Sequence, residues 1–159
     1  MSEQKSSSIE PTLIIERIFE TPRERVFEAW TDPDELVQWC MPFGFTIPHN
    51  EGLIEEGGSY RSCLRSKEGK DHWLGGVYKV IERPSKLVFT HIWDDDKGRP
   101  GTETLVTITF ENFEGGGTKM IFMQEGFSSK ESRDGHHGGW SEAFEHLEEH
   151  LFSMGVGMI

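Results

Sequence analysis

Residues 12–39 read TLIIERIFETPRERVFEAWTDPDELVQW, a stretch that holds one strand signal and two helix signals in succession. The first part alternates, with Leu13, Ile15 and Phe19 apolar at odd positions and a partial break at Arg17. That is the period of a strand with one buried face. Thr21-Pro22-Arg23-Glu24 then reads as a helix start, with Thr21 as N-cap, Pro22 at the first helical position and Glu24 completing a capping box. Val26, Phe27 and Trp30 form the apolar stripe of this helix. Asp32-Pro33-Asp34-Glu35 repeats the start signal at once, followed by Leu36, Val37 and Trp39. The stretch from Pro42 to Pro48 ends this helix pair.

Beyond it the period changes to two. Residues 55–59, carrying Gly57-Gly58, turn into YRSCLRS, and Glu68-Gly69-Lys70 turns into HWLGGVYKVIER. Arg83-Pro84-Ser85 leads into KLVFTHIWD, and residues 94–101 read as a longer polar loop. TLVTITFEN places Val106, Ile108 and Phe110 on one face and Thr107, Thr109 and Glu111 on the other. A turn at Gly115-Gly116-Gly117 precedes TKMIFMQEGF. Short turns between successive strands predict an antiparallel meander. Ser128, with Glu131 three residues on, then reads as a capping box, and Trp140, Phe144, Leu147 and Leu151 make a helical apolar face. Gly135, Gly138 and Gly139 oppose the early part of that helix, so the pattern places it from Trp140 onward. The expected organisation is a lead-in over residues 1–11, one domain over 12–153 and a tail over 154–159.

Of the 159 residues, 28 are acidic and 16 basic, which sets the formal charge at −12. A chain this long buries roughly 70% of its unfolded surface as one domain without metals or disulfides. The acidic balance argues against nucleic-acid binding and against docking on anionic membranes, since both need a basic face. Cys40 and Cys63 form no CxxC unit, and no apolar run approaches a membrane span or a signal core. A cytoplasmic protein without a membrane span, metal or cofactor is the expectation. Eleven Phe and five Trp are more than a disordered acidic chain would carry, and point to a large core or a lined cavity.

The element order makes the second outcome concrete. A seven-stranded meander must bury one face, yet only one long helix is present to cover it. The twisted sheet has to curl around that helix, and the volume left between them is filled by large side chains or remains a pocket. This order resembles the α+β helix-grip fold of the START-like (SRPBCC) superfamily, with a curved seven-stranded antiparallel sheet around a long C-terminal helix. The residues that carry the resemblance are Trp30-Thr31-Asp32-Pro33 with Leu36 and Trp39, Pro42 with Phe43-Gly44-Phe45, and Gly57-Gly58-Ser59-Tyr60-Arg61. Gly76-Val77-Tyr78, Leu87-Val88-Phe89-Thr90, Gly117-Thr118-Lys119-Met120, Glu125-Gly126-Phe127 and His136 with Gly139-Trp140 complete the set. Within the superfamily they are most similar to the branch named for homology to the activator of the heat-shock chaperone ATPase. The resemblance implies one scaffold shared by carriers of hydrophobic molecules, cyclase-like enzymes and chaperone regulators.

Strand parity and the apolar face of the last helix predict a pocket lined by Tyr60, Tyr78, Phe89, His91, Ile108, Phe122, Gln124, Trp140 and Phe144, with His136 at its rim. His91 is either a buried histidine satisfied by a neighbour or a polar anchor for a ligand. Relatives in the branch often carry histidine at the position of Gln124, and glutamine keeps hydrogen-bonding capacity while removing a titratable group. His146 and His150, four apart among Glu145, Glu148 and Glu149, read as a solvated face rather than a zinc site. Asp94-Asp95-Asp96 lacks the spacing of a calcium loop and reads as a solvated turn.

Three functions follow, in order of support. The first is binding of a small apolar molecule between helix and sheet, as a carrier or sensor. The second is a cyclase, isomerase or hydratase that uses His91, Gln124 or His136; no recognisable catalytic set accompanies them. The third, regulation of a heat-shock chaperone, rests on the branch name. A homodimer is left open.

Overall fold

The computed structural model describes residues 11–157, with side chains described through Ser153, so the lead-in before Pro11 lies outside the described residues. Along the chain come β1 (Thr12–Phe19), α1 (Arg23–Thr31), α2 (Pro33–Trp39), β2 (Thr46–Gly52), β3 (Ser59–Arg65), β4 (Asp71–Glu82), β5 (Lys86–Asp94), β6 (Pro100–Phe113), β7 (Gly117–Glu125) and α3 (Lys130–Gly157). The strands form one curved antiparallel sheet in the order β1-β7-β6-β5-β4-β3-β2, the expected helix-grip arrangement. Strands β2 to β7 are a simple meander, whereas β1 pairs with the last strand, matching Leu13 to Gln124 and Phe19 to Thr118. β1 and β2 are therefore opposite edges, and α1 and α2 carry the chain across the whole width of the sheet.

Alternation places Leu13, Ile15 and Phe19 in the core, where they meet Val106, Ile108, Phe110, Met120 and Phe122 of the neighbouring strands. The break at Arg17 has a purpose on the same face. Its guanidinium reaches α3, donating to the Glu145 carboxylate at 2.9 Å and to the Ser141 carbonyl at 3.3 Å. Helix α1 buries Val26, Phe27, Ala29 and Trp30 completely or nearly so. Its start differs from expectation, because Pro22 is the flanking residue and no side chain caps the helix. The carbonyl of Thr21 is instead engaged by the Thr118 hydroxyl, at 2.6 Å. The second start signal is formed as read: Asp32 accepts from the Asp34 N–H at 2.9 Å, with Pro33 at the first helical position.

Three boundaries move. β2 occupies part of the stretch read only as a helix terminator, and Pro48 is tolerated there because β2 is an edge strand. The polar loop after β5 shortens to residues 95–99, where Asp95 accepts from the N–H groups of Lys97 and Arg99. Helix α3 begins at Lys130 and is capped by Ser129, not Ser128, through the Ser132 N–H at 3.0 Å. It passes through Gly135, Gly138 and Gly139 and continues to Gly157, beyond Ser153 where a tail was expected. Tertiary packing of its apolar face outweighs a glycine cost of roughly 0.5–1 kcal/mol each.

The histidines near the end of α3 are not a solvated face. His150 donates to the Glu35 carboxylate at 2.8 Å, and Arg25 holds the same carboxylate at 2.7 Å. His146 Nδ1–H donates to the Met41 carbonyl at 2.8 Å, and the Phe43 N–H donates to Glu142 at 2.9 Å. Together these contacts bind α2 and the following loop to α3. Burial alone would push the Glu35 carboxyl up, but Arg25 and His150 hold it below its usual value.

Candidate functional site

Between the concave face of the sheet, α2 and the first half of α3 lies a cavity of about 120 Å³. Its sheet wall is built by Tyr60, Ser62 and Leu64 of β3, Leu74 and Tyr78 of β4, and Phe89, His91 and Trp93 of β5. These alternate along each strand because only every second side chain faces inward. The opposite wall is Trp30 of α1, Leu36 of α2, Cys40, Met41 and Pro42 after it, and His136, Gly139, Trp140 and Ala143 of α3. Ile47 and Asn50 of β2 close the edge. Trp30 sits at the centre of this aromatic assembly, 4.7 Å from Trp39 edge to face and 6.0 Å from Trp140.

Six of the ten residues expected from parity line the cavity: Tyr60, Tyr78, Phe89, His91, His136 and Trp140. Ile108, Phe122, Gln124 and Phe144 do not. They face the correct side of the sheet or helix but are fully buried in the core beneath Trp30 and Trp140. Ser62 and Leu64 share the parity of Tyr60, and Leu74 that of Tyr78, so alternation could have found them. Trp30, Ile47 and Asn50 needed the placement of α1 and β2.

No charged side chain lines this cavity. Its titratable groups are held neutral near pH 7. Burial pushes the Cys40 thiol up to about 12 and raises the Tyr60 and Tyr78 hydroxyls above their usual range. Burial, with a smaller contribution from nearby His136, lowers His91 to about 3. His136 is also lowered by burial, against the opposing pull of the Ser132 carbonyl.

A polar network behind the wall sets the proton on His91. The Trp140 indole can only donate, so the atom of Gln124 that meets it at 2.9 Å is Oε1. The Gln124 Nε2 group then donates to Thr104 Oγ1 at 2.9 Å and faces His91 Nδ1 at 3.4 Å. The Thr104 hydroxyl donates onward to the His91 carbonyl at 2.8 Å. His91 Nδ1 is thus an acceptor, and the neutral ring carries its proton on Nε2. Gln124 is a positioning group for two cavity residues rather than a wall residue itself.

His136 has both nitrogens engaged. Its Nδ1–H donates to the Ser132 carbonyl at 2.7 Å, and its Nε2 accepts from the Trp93 indole at 3.0 Å. His91, Trp93 and His136 form a partition, because they also border a second, more polar cavity of about 190 Å³ that reaches Asp94, Thr104 and Ser132. Asp94 is occupied by a two-pronged pair with Arg61, so the acidic turn is only partly solvated. Cys40 and Cys63 are free thiols.

Among the described residues no helix is long and apolar enough to cross a membrane. No group of three or more metal-ligating side chains is present among them either. No curated protein matches the chain significantly. Solved structures do: the AHSA1 protein of Silicibacter pomeroyi superposes with a TM-score of 0.82 at 25% identity, over 91% of this chain and 99% of that one. A Chromobacterium violaceum protein gives 0.78 at 25% identity, over 88% and 96% of the two chains. A Rhodobacter sphaeroides protein gives 0.73 at 27% identity, over 89% and 93%. The family model described as activator of Hsp90 ATPase homolog 1-like protein matches residues 20–151, a span from the end of β1 to the last buried leucine of α3, and the chain belongs to that family.

Proposed function

We propose that the protein binds a small hydrophobic molecule in the cavity between the sheet and α3, in the role of a carrier or sensor. The observation that carries this reading is a cavity walled by aromatic and aliphatic side chains with no charged residue among them. Such walls, with a few polar groups to fix orientation, are the usual makeup of a small-molecule site. Membership of a family whose fold commonly accommodates hydrophobic ligands supports the same conclusion. Acid–base chemistry draws no support from the site, since His91 is too weak a base near neutral pH and both nitrogens of His136 are engaged.

The test is native mass spectrometry of freshly purified protein, joined to titration with a small apolar compound followed at the Trp30 and Trp140 indole signals. A released small molecule, or saturable shifts at both indoles, is the expected result. A protein that carries nothing and leaves both indoles unmoved would overturn the proposal.

A further inference from the structure

The polar atoms of the cavity wall limit what kind of molecule fits it. Most polar atoms there are already spoken for. The Tyr60 hydroxyl donates to the Thr90 carbonyl at 2.7 Å, the Ser62 hydroxyl to Asn50 at 2.5 Å, and the Trp93 indole to His136. Two buried groups differ. Tyr78 is 6% exposed and His91 5%, and neither the Tyr78 hydroxyl nor the Nε2–H of His91 has a hydrogen-bond partner among the described residues. They lie on adjacent strands and the same face: Phe89 pairs with Tyr78, and His91 follows Phe89 by two residues. Neither polar atom is itself sealed off, so each is open to an acceptor, and a ligand oxygen would supply the partner that the protein does not.

Size and charge narrow the choice further. A cavity of about 120 Å³ compares with the roughly 150 Å³ engineered cavity that holds benzene, so it is matched in size to one ring. An anion would meet no cation on the wall and an acidic surface outside. A cation would meet aromatic faces, but no carboxylate on the wall to neutralise it.

Building on the cavity as the ligand site, we propose that its occupant is an uncharged single-ring compound with one hydrogen-bond acceptor, a carbonyl above all. The ring packs among Trp30, Phe89 and Trp140, and the oxygen accepts from the Tyr78 hydroxyl and the His91 Nε2–H.

Four probes of similar size test this by chemical-shift titration at the Trp30 and Trp140 indoles: acetophenone, ethylbenzene, benzoate and phenyltrimethylammonium. Acetophenone is expected to bind about five- to tenfold more tightly than ethylbenzene, the gain typical of a net hydrogen bond of about 1 kcal/mol. Tyr78→Phe, which leaves His91 as the one remaining donor, should lower that ratio about two- to threefold without lowering the melting temperature. Equal binding of acetophenone and ethylbenzene by the native protein, tighter binding of either ion, or an unaltered ratio in Tyr78→Phe would overturn the ligand class and leave the cavity reading standing. If none of the four binds, the cavity reading itself falls and the ligand class with it.

Discussion

Replacing Gln124 with leucine isolates the role of the network behind the cavity. Leucine is close to glutamine in volume, so the substitution leaves little void. It removes three hydrogen bonds at once, to Trp140, Thr104 and His91. Thr104 keeps its bond to the His91 carbonyl, so two groups are stranded, the Trp140 N–H and His91 Nδ1. Each stranded buried group costs about 1–3 kcal/mol. Trp140 is only partly buried and recovers some of this through water, and the new apolar side chain returns roughly 1–2 kcal/mol. A net loss of about 1–4 kcal/mol remains, which lowers the melting temperature by roughly 2–4 °C per kcal/mol in a domain of this size. Thermal unfolding followed by circular dichroism near neutral pH measures it. Long-range nitrogen–proton spectra of the imidazoles report the second consequence, loss of the single Nε2–H form of His91 in favour of a mixture. A Gln124→Leu protein that melts at or above the native temperature, with His91 still in one form, would refute the reasoning.

Three further outcomes are expected. His91 should stay neutral in the folded protein down to about pH 4, because burial lowers its pKa to about 3. The unfolded chain takes up that proton near pH 6.5, so this group withdraws stability as pH falls from about 6.5 toward 3; His91→Gln should flatten that part of a urea-midpoint profile against pH. Glu35 is held below its usual value by Arg25 and His150 against the opposing effect of burial, so its contribution is complete above the unfolded value near pH 4.3 and is lost as pH drops through the lower folded value. Glu35→Gln should remove that acid limb, and an unchanged limb would show that another carboxylate produces it. Glycines provide a matched contrast: a Cβ at Gly76 would lie 2.0 Å from the Thr90 carbonyl, whereas one at helical Gly135 meets nothing within 4 Å. Gly76→Ala should cost at least about 3 kcal/mol, and Gly135→Ala should add about 0.5–1 kcal/mol, both read from denaturant midpoints.

Local period was enough to place most strands, their turns and the inward face of each. Leu13, Ile15 and Phe19, or Val106, Ile108 and Phe110, point inward because successive side chains of an extended backbone alternate, whatever lies opposite. The Asp32-Pro33 start of α2 was equally local, since its cap and its proline act within one turn. The pairing of β1 with β7 was not, because it joins opposite ends of the chain and no nearby residue encodes it. β2, the seventh strand of the expected sheet, could not be located because a short edge strand with Pro48 shows little alternation. The division between wall and core depended on the same long-range docking. Phe89 and Phe122 both face the helices and both meet Trp30, yet Trp140 and Phe144 cover Phe122 while Phe89 borders the cavity. Gln124 became a positioning group, and His150 a half-buried partner of Glu35, only where separate elements converged. Backbone period sets the side toward which a residue points; how deeply it is covered, and by which polar partner, depends on where distant helices land.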